Sequence, residues 1–350
     1  MLKKHWWKAL GVLLLIYVFV VGMLVPLTPG IVDVSPNSLE TGQQTTLEIT
    51  GYNSNYQAGE VRAWLKLDDE RAIAADPVTV VDERHLELGV AIPEYLPVDR
   101  KVQDFTLVLD SPTDGTAVLP SAVFVTQDSI ASSYGAQQWP NDPIDGLSER
   151  WTMTFPFRNI LSETIRNTYF HVPLWFAMIF IFIGSVTYSI RYLRGGDLMQ
   201  DNKAQAFTKV GIVFGLLGLV TGAIWAKNTW GAYWSGDVKQ NMTAIALLIY
   251  FAYFILRGVF EDPDKRARIS AVYNIFAFVA LIPLIYVIPR LTDSLHPGAG
   301  GNPAFGSQDL DNTMRMVFYP AIIGWTLIGF WMANLLYRME RVRMRVLDLV

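Results

Sequence analysis

The chain has 350 residues, of which 51% are apolar and 17% are charged, and its mean hydropathy is +0.27. This composition excludes an ordinary water-soluble globular protein and indicates a membrane protein. The net charge of −4 is small and the basic residues are spread along the chain, so nucleic acid is not an expected partner. Cysteine is absent, which excludes disulfides, thiolate nucleophiles and iron–sulfur clusters.

Apolar runs predict six membrane-spanning helices, because each run approaches the ~20 residues that cross a hydrocarbon core. They lie at 6–26, 172–190, 207–226, 242–258, 270–289 and 318–336. Within the first run, the apolar segment ALGVLLLIYVFVVGMLV follows Lys3, Lys4 and Lys8, as the core of a signal peptide would. It is too long for that core and no small-x-small cleavage site precedes Pro26, so we expect an uncleaved anchor.

A polar insert separates the first two spans. Residues 31–126 contain short alternating runs separated by Pro, Gly, Asn and Asp, namely TTLEIT, EVRAWLKL, HLELGVAI, DFTLVL and SAVFVT. This pattern predicts a β-sandwich. The opening VDVSPNSLETGQQTTLEITGYN resembles the start of IPT/TIG-type immunoglobulin-like domains. The insert has no cluster of acids, histidines or nucleophiles, so we expect a binding or spacer module, with His85 not a ligand.

The next segment, from Gln127 to Asn159, is polar and irregular and is predicted to be a linker. The sequence FRNILSETIRNTYF then spaces apolar residues at helical intervals, which predicts a short helix at the membrane surface. The predicted organisation is therefore a first transmembrane helix at 1–26, a β-sandwich at 27–130, a linker with an interfacial helix at 131–170, and a five-helix membrane domain at 171–350.

Lysine and arginine predict the orientation. Fourteen of them lie in the N-terminus, the loops RYLRGGDLMQDNK and RGVFEDPDKRAR, and the tail YRMERVRMRV, which alternate along the chain. The opposite short loops carry only Lys227, Lys239, Arg290 and Arg315. The richer set is cytoplasmic by the positive-inside rule. Both termini are then predicted inside, and the β-domain outside.

Two of the four histidines reach that same outer face. His171 begins the second span, and His296 follows the fifth. Between the third and fourth spans lies WAKNTWGAYWSGDVKQ, residues 225–240, which also faces outside. Interfacial tryptophans and a lone histidine at a span end are each common in membrane proteins. Their combination with Asp237 and Lys239 suggests a shared binding site.

Haem is the cofactor that such a set suits. Aromatic rings can contact a flat macrocycle, two imidazoles can occupy the axial positions on iron, and cationic side chains can pair with propionates. Since the chain has no thiol, it cannot hold haem as a covalent c-type adduct.

The segment LVTGAIWAKNTWGAYWSGD resembles the tryptophan-rich signature of a haem-handling superfamily that includes CcmC and the CcsA-type cytochrome c synthases. The segments RNTYFHVP and LHPGAG resemble the two histidine segments of the CcmC branch. The resemblance covers the first span and residues 160–345. Six spans with both termini inside are also the layout of that branch, whereas the inserted β-domain is not part of its compact form.

The resemblance implies a site residue by residue. The two axial ligands fall on His171 and His296. The haem platform falls on Trp225, Trp230, Gly231, Tyr233, Trp234 and Asp237, and basic positions fall on Arg166 and Lys239. The chain departs from the family at two positions, since Gly236 replaces a usual Trp and Lys239 a usual Arg. Lysine keeps the charge but loses the planar guanidinium fork.

The resemblance also implies a function. The protein would bind haem b non-covalently at the outer face of the bacterial inner membrane and deliver it to the periplasmic haem chaperone CcmE. Its partners would be the small membrane protein CcmD and the ATP-binding transporter CcmAB, and its role would be transfer for cytochrome c biogenesis rather than enzymatic catalysis.

Three alternatives stay open from the residues. A CcsA-like synthase would carry further histidines within its spans, and a quinol-oxidising cytochrome b anchor would carry histidine pairs there. A receptor that displays the β-domain would leave the two outer histidines without a purpose. The absorption spectrum of the purified protein discriminates among them.

Overall fold

The computed structural model describes residues 2–140, 142–150, 152–296 and 310–346. The chain divides into two compact units. One is Pro26–Glu163, and the other combines Met1–Val25 with Thr164–Val350. The last four residues of the predicted LHPGAG segment, 297–300, lie outside the described residues.

The unit Pro26–Glu163 contains two β-sheets, which confirms the predicted β-domain. Its strands are β1 (Gly30–Ser35), β2 (Ser38–Glu40), β3 (Gln44–Tyr52), β4 (Arg62–Lys66), β5 (Ala72–Ala74), β6 (Val78–Val80), β7 (His85–Ala91), β8 (Val102–Ser111) and β9 (Gly115–Thr126). One sheet has the order β1-β3-β7-β6 and the other β2-β9-β8-β4-β5. All pairings are antiparallel except that of β2 with β9. The five runs noted in the sequence overlap β3, β4, β7, β8 and β9.

Alternation along the strands builds the core of this unit. In β7, Leu86, Leu88 and Val90 are buried while their neighbours are more exposed. They pack in one apolar cluster with residues of the other sheet, such as Leu65 and Phe105. The shortest strands, β2, β5 and β6, have three residues each, too few to give a periodic signal in the sequence.

The segment between the sandwich and the second span differs from the prediction. The predicted linker contains a short helix, α2 (Ser132–Gln138). The helix predicted over FRNILSETIRNTYF begins only at Ser162, as a 3-10 turn (Ser162–Arg166) followed by α3 (Asn167–Phe170). Ser162 has a φ of 46°, which interrupts a regular helix. Upstream, Phe157 is held by the β-unit, since its ring stacks on Tyr52 at a centroid distance of 4.7 Å.

The other unit contains the predicted transmembrane helices. They are α1 (Leu2–Leu24), α4 (Val172–Gly195), α5 (Leu198–Trp230), α6 (Val238–Val259), α7 (Pro263–Ile282) with a π-turn (Pro283–Val287) and α8 (Ile288–Leu291), and α9 (Asn312–Val346). Among the described residues, six helical segments are long and apolar enough to cross a membrane, which confirms the six predicted spans. The helices are longer than the apolar runs because polar turns extend them at their ends.

The helix boundaries follow their capping residues. Asp197, Asp237 and Asp262 precede α5, α6 and α7, and each carboxylate accepts a hydrogen bond from a main-chain N–H of the first turn. Helix α4 is followed by the capping residue Gly196, whose φ of 68° suits a left-handed cap. Asp197 therefore fixes the start of α5, the span before the tryptophan-rich loop. Asp237 fixes the start of α6, the span after it.

A buried ion pair lies inside this unit. Both Nη atoms of Arg257 on α6 donate to the carboxylate of Asp201 on α5. The two side chains are only 7% and 4% exposed. Because neither charge is solvated by water, each depends on the other for compensation.

Candidate functional site

Asp237 brings His296 to the start of α6. The imidazole Nδ1 of His296 lies 2.8 Å from Asp237 Oδ1. The other carboxylate oxygen accepts hydrogen bonds from Ser294 Oγ and from the main-chain N–H of Leu295, each at 2.8 Å. Asp237, the N-cap of α6, therefore also holds the loop that follows α8 through these hydrogen bonds. The acid and the histidine are 59 residues apart in the sequence.

The protonation of this pair follows from its surroundings. Burial lowers the pKa of His296 to about 4 and Lys239 acts in the same direction, whereas the Asp237 carboxylate opposes the shift. Burial raises the pKa of Asp237, but hydrogen bonds from Leu295 and Ser294 outweigh it, so the pKa lies below its usual value. At neutral pH an ionised carboxylate thus accepts from Nδ1–H of a neutral imidazole. The lone pair of His296 is then on Nε2.

Two tryptophans stand beside this imidazole. The ring centroid of Trp230 is 4.7 Å from that of His296, and Trp225 is 6.2 Å away. The two indoles also contact each other edge to face, at 5.0 Å. All three rings lie at the end of α5 and the end of the fifth span, so the structure brings together three of the residues that the resemblance implied.

The rest of the tryptophan-rich loop is more exposed. Tyr233 and Trp234 are 60% and 44% exposed, and they lie between two turns at Gly231 and Gly236. These glycines have φ values of 81° and 76°, which a larger residue adopts only with strain. The departure from tryptophan at Gly236 thus coincides with a backbone conformation that a tryptophan would not favour.

His171 lies at the N-terminus of α4, against α5. Its Nδ1 is 3.0 Å from Thr221 Oγ1, and its ring packs on Gly222 so closely that a Cβ there would lie 2.7 Å from Cε1. The Thr221 hydroxyl is within donating distance of the carbonyls of Leu217 and Gly218, at 2.8 and 3.1 Å. Since that hydroxyl proton is directed to a carbonyl, Thr221 accepts from Nδ1–H of His171, and the lone pair of His171 is on Nε2.

Trp175, one helical turn after His171, contacts that lone pair. Its indole Nε1–H donates to Nε2 of His171 at 3.3 Å. The two rings meet edge to face at 80°. Both histidines are therefore held through Nδ1. In each, Nε2 carries the lone pair and is the potential metal ligand.

The positive charge of Lys239 acts on both histidines. It interacts with His171, His296 and Asp237. Within the described part of the chain, its ammonium group forms no hydrogen bond or ion pair. The site thus combines two neutral imidazoles, an aromatic wall and a cation, which are the groups that bind a planar, anionic metal macrocycle.

Similarity to known proteins identifies the family of this chain. The family model described as CcmC, Heme exporter protein C, matches residues 151–349. The chain belongs to this family. Relatives named Heme exporter protein C include one from Paracoccus denitrificans, 28% identical over 56% of this chain and 79% of the relative. Another from Bradyrhizobium diazoefficiens is 28% identical over 53% and 70%, and one from Escherichia coli is 26% identical over 54% and 77%. The resemblance to CcmC is therefore confirmed.

In this member of the CcmC family, Arg166 is engaged with α1. Its Nη1 donates to the main-chain carbonyls of Gly22 and Val25, at 2.8 and 2.7 Å. These carbonyls are at the C-terminal end of the first span, where helical acceptors lack partners. Arg166 thus anchors the turn that precedes His171, and its expected role at a propionate stays a prediction.

Three residues that contact His171 were missed in the sequence: Trp175, Thr221 and Gly222. Trp175 follows the histidine by four residues, the spacing at which helical side chains meet. Gly222 is the last of a row of glycines on α5, and such rows permit close helix contact in membranes. These signals were available, but they specify contact only once α4 and α5 are known to be neighbours.

The remaining histidines lie elsewhere. His85 begins β7, is about half exposed, and pairs through Nδ1 with Asp82 at 2.8 Å. His5 is an exposed residue of the first turns of α1. Neither is a candidate for the site around His171 and His296.

Proposed function

We propose that this chain binds haem b non-covalently, with His171 and His296 as axial ligands, and passes it on for cytochrome c biogenesis. The observation that carries the proposal is that both imidazoles are held in the same way. Each is held through Nδ1 by a side-chain oxygen, which leaves the Nε2 lone pair as the potential ligand. A hydrogen bond at the second nitrogen is typical of histidine ligands to metals.

The other residues have distinct roles in this proposal. Trp225 and Trp230, which pack beside His296, would hold the aromatic ring system of haem, and Lys239 would pair with a propionate. The exposed Tyr233 and Trp234 would add further aromatic contacts. Asp237 does not bind haem itself, but orients His296.

The family name supports export, because the relatives are called heme exporter proteins. We assign the acceptor as the periplasmic chaperone CcmE and the assembly partners as CcmD and the transporter CcmAB. The site would face the outside of the bacterial inner membrane, with both termini in the cytoplasm, since the basic loops are on the opposite side. The β-unit, inserted between the first two spans, would then lie on the same side as the site and would dock the acceptor.

A spectroscopic comparison of four variants tests the ligand assignment. The purified protein should show a low-spin b-type spectrum whose haem is extractable by acid and organic solvent. The substitutions His171→Ala and His296→Ala should each abolish the six-coordinate low-spin species, because one axial bond is lost. His5→Ala and His85→Ala are matched controls and should leave the spectrum unchanged. A loss of the low-spin spectrum in either control, with none in the first pair, would refute the assignment.

A further inference from the structure

The two candidate iron ligands are not equivalent. The Nε2 atom of His171 already accepts a hydrogen bond, from the indole N–H of Trp175 at 3.3 Å. The Nε2 atom of His296 has no such donor among the described residues. Both imidazoles are otherwise fixed in the same way, through Nδ1, so the difference between them is this indole.

The indole and a metal cannot use the nitrogen at once. An imidazole with a proton on Nδ1 has a single in-plane lone pair, on Nε2, and the indole N–H can only donate. A metal bond to Nε2 therefore requires that the hydrogen bond from Trp175 be broken.

The position of Trp175 is built into the helix packing. Its ring lies against Gly218 of α5, so closely that a Cβ on Gly218 would be 2.7 Å from the indole Cε2. Thr221 holds the far side of the imidazole. The packing of α4 on α5 thus fixes the position of the His171 imidazole. It also fixes the position of the Trp175 indole that donates to Nε2.

We propose that Trp175 occupies the iron-binding nitrogen of His171 when haem is absent, and so makes His171 the weaker and more readily exchanged of the two axial ligands. This inference rests on the proposed function. His296, oriented by a buried carboxylate and without a competing donor among the described residues, is the retained ligand. Release to an acceptor would begin at His171, where the indole N–H replaces iron as the partner of Nε2.

The substitution Trp175→Phe tests this competition, because it removes the N–H and keeps an aromatic ring. Haem loss from purified protein to an excess of apomyoglobin should slow by about fivefold, the factor that corresponds to about 1 kcal/mol for one neutral hydrogen bond. The low-spin fraction of the absorption spectrum should rise. Trp325→Phe is the matched control, since its indole lies in the same bundle and packs on Phe214 rather than on a histidine ring.

A double-mutant cycle separates competition from a general packing effect. The slowing caused by Trp175→Phe should vanish in the His171→Ala background and persist in the His296→Ala background. Trp175→Leu should act in the same direction if the phenylalanine variant is not monodisperse. Haem loss at the wild-type rate or faster in Trp175→Phe, or a slowing that survives the loss of His171, would overturn the inference.

These outcomes are distinct from failure of the proposed function. If His171→Ala leaves the wild-type spectrum intact, His171 is not a ligand and the proposed function fails. If His171→Ala abolishes the low-spin spectrum but Trp175→Phe and Trp325→Phe behave alike, the ligand assignment stands and only the role of Trp175 is refuted.

Discussion

The proposed site gives Asp237 a role in haem binding without contact to haem, and this role can be measured. Its carboxylate caps α6 through the N–H of Lys239 and accepts three further hydrogen bonds, from Ser294, Leu295 and His296. The substitution Asp237→Ala removes the cap and leaves Nδ1 of His296 without its acceptor. We expect this substitution to lower both the free energy of unfolding and the affinity for haem. The two effects can be measured separately.

The stability effect has an internal reference. Loss of an N-cap costs about 1 kcal/mol. Asp262 caps α7 in the same way, accepting from the N–H of Lys265 at 2.6 Å, and contacts no histidine. Asp262→Ala should therefore show the cap effect alone. Asp237→Ala should lose about 4–5 kcal/mol more, because three further hydrogen bonds to a charged group are lost and each contributes about 1.5 kcal/mol or more.

The affinity effect should occur in only one of the two variants. Loss of a partner that orients a histidine ligand lowers metal affinity by about 10–100-fold. Haem titration followed at the Soret band should show this decrease for Asp237→Ala and unchanged affinity for Asp262→Ala, with thermal unfolding in detergent measured alongside. Equal affinities in the two variants would show that Asp237 acts only as a helix cap.

Three further outcomes follow from the contacts described. Trp230→Ala should lower haem occupancy, since its ring contacts are worth about 1 kcal/mol each, without lowering the protein level in membranes; parallel loss of both would indicate a purely structural ring. Arg257→Leu should destabilise the folded protein by about 3–5 kcal/mol because it leaves Asp201 charged and unpaired, whereas replacing both with leucine should restore much of the melting temperature. Replacement of residues 27–161 by a flexible linker should leave the haem spectrum intact and reduce delivery to the acceptor; full delivery would refute docking by the β-unit.

The membrane spans and the β-unit could be predicted because their signals are local. A run of ~20 apolar residues strongly favours a membrane-spanning helix. The alternation in HLELGVAI matches the buried and exposed positions of β7. The helix expected over FRNILSETIRNTYF was predicted too long for a reason that is not local. Phe157 stacks on Tyr52, more than a hundred residues earlier, and this contact competes with helix formation.

The candidate site could be predicted in part. Alternating loops place His171, His296 and the tryptophan-rich segment at one face, whatever the details of packing. The hydrogen bond between Asp237 and His296 could not be predicted, because it depends on how the loop after α8 turns back. For Arg166, the resemblance implied a role at a propionate, which stays a prediction. The hydrogen bonds of its Nη1 to the end of α1 could not be predicted, because they depend on how the two segments pack.

The unequal support of the two histidines is what a transfer protein requires. A permanent haem protein gains from two firmly held ligands, because each strengthens retention of the other. A carrier must instead release one bond at a time, and each bond that exchanges needs a group to replace iron. Trp175 is placed to be that group at His171, while the carboxylate of Asp237 keeps His296 oriented throughout. In the proposed function, this asymmetry would give transfer a direction, because His171 on the helix would be the first ligand to exchange and His296 on the loop the last.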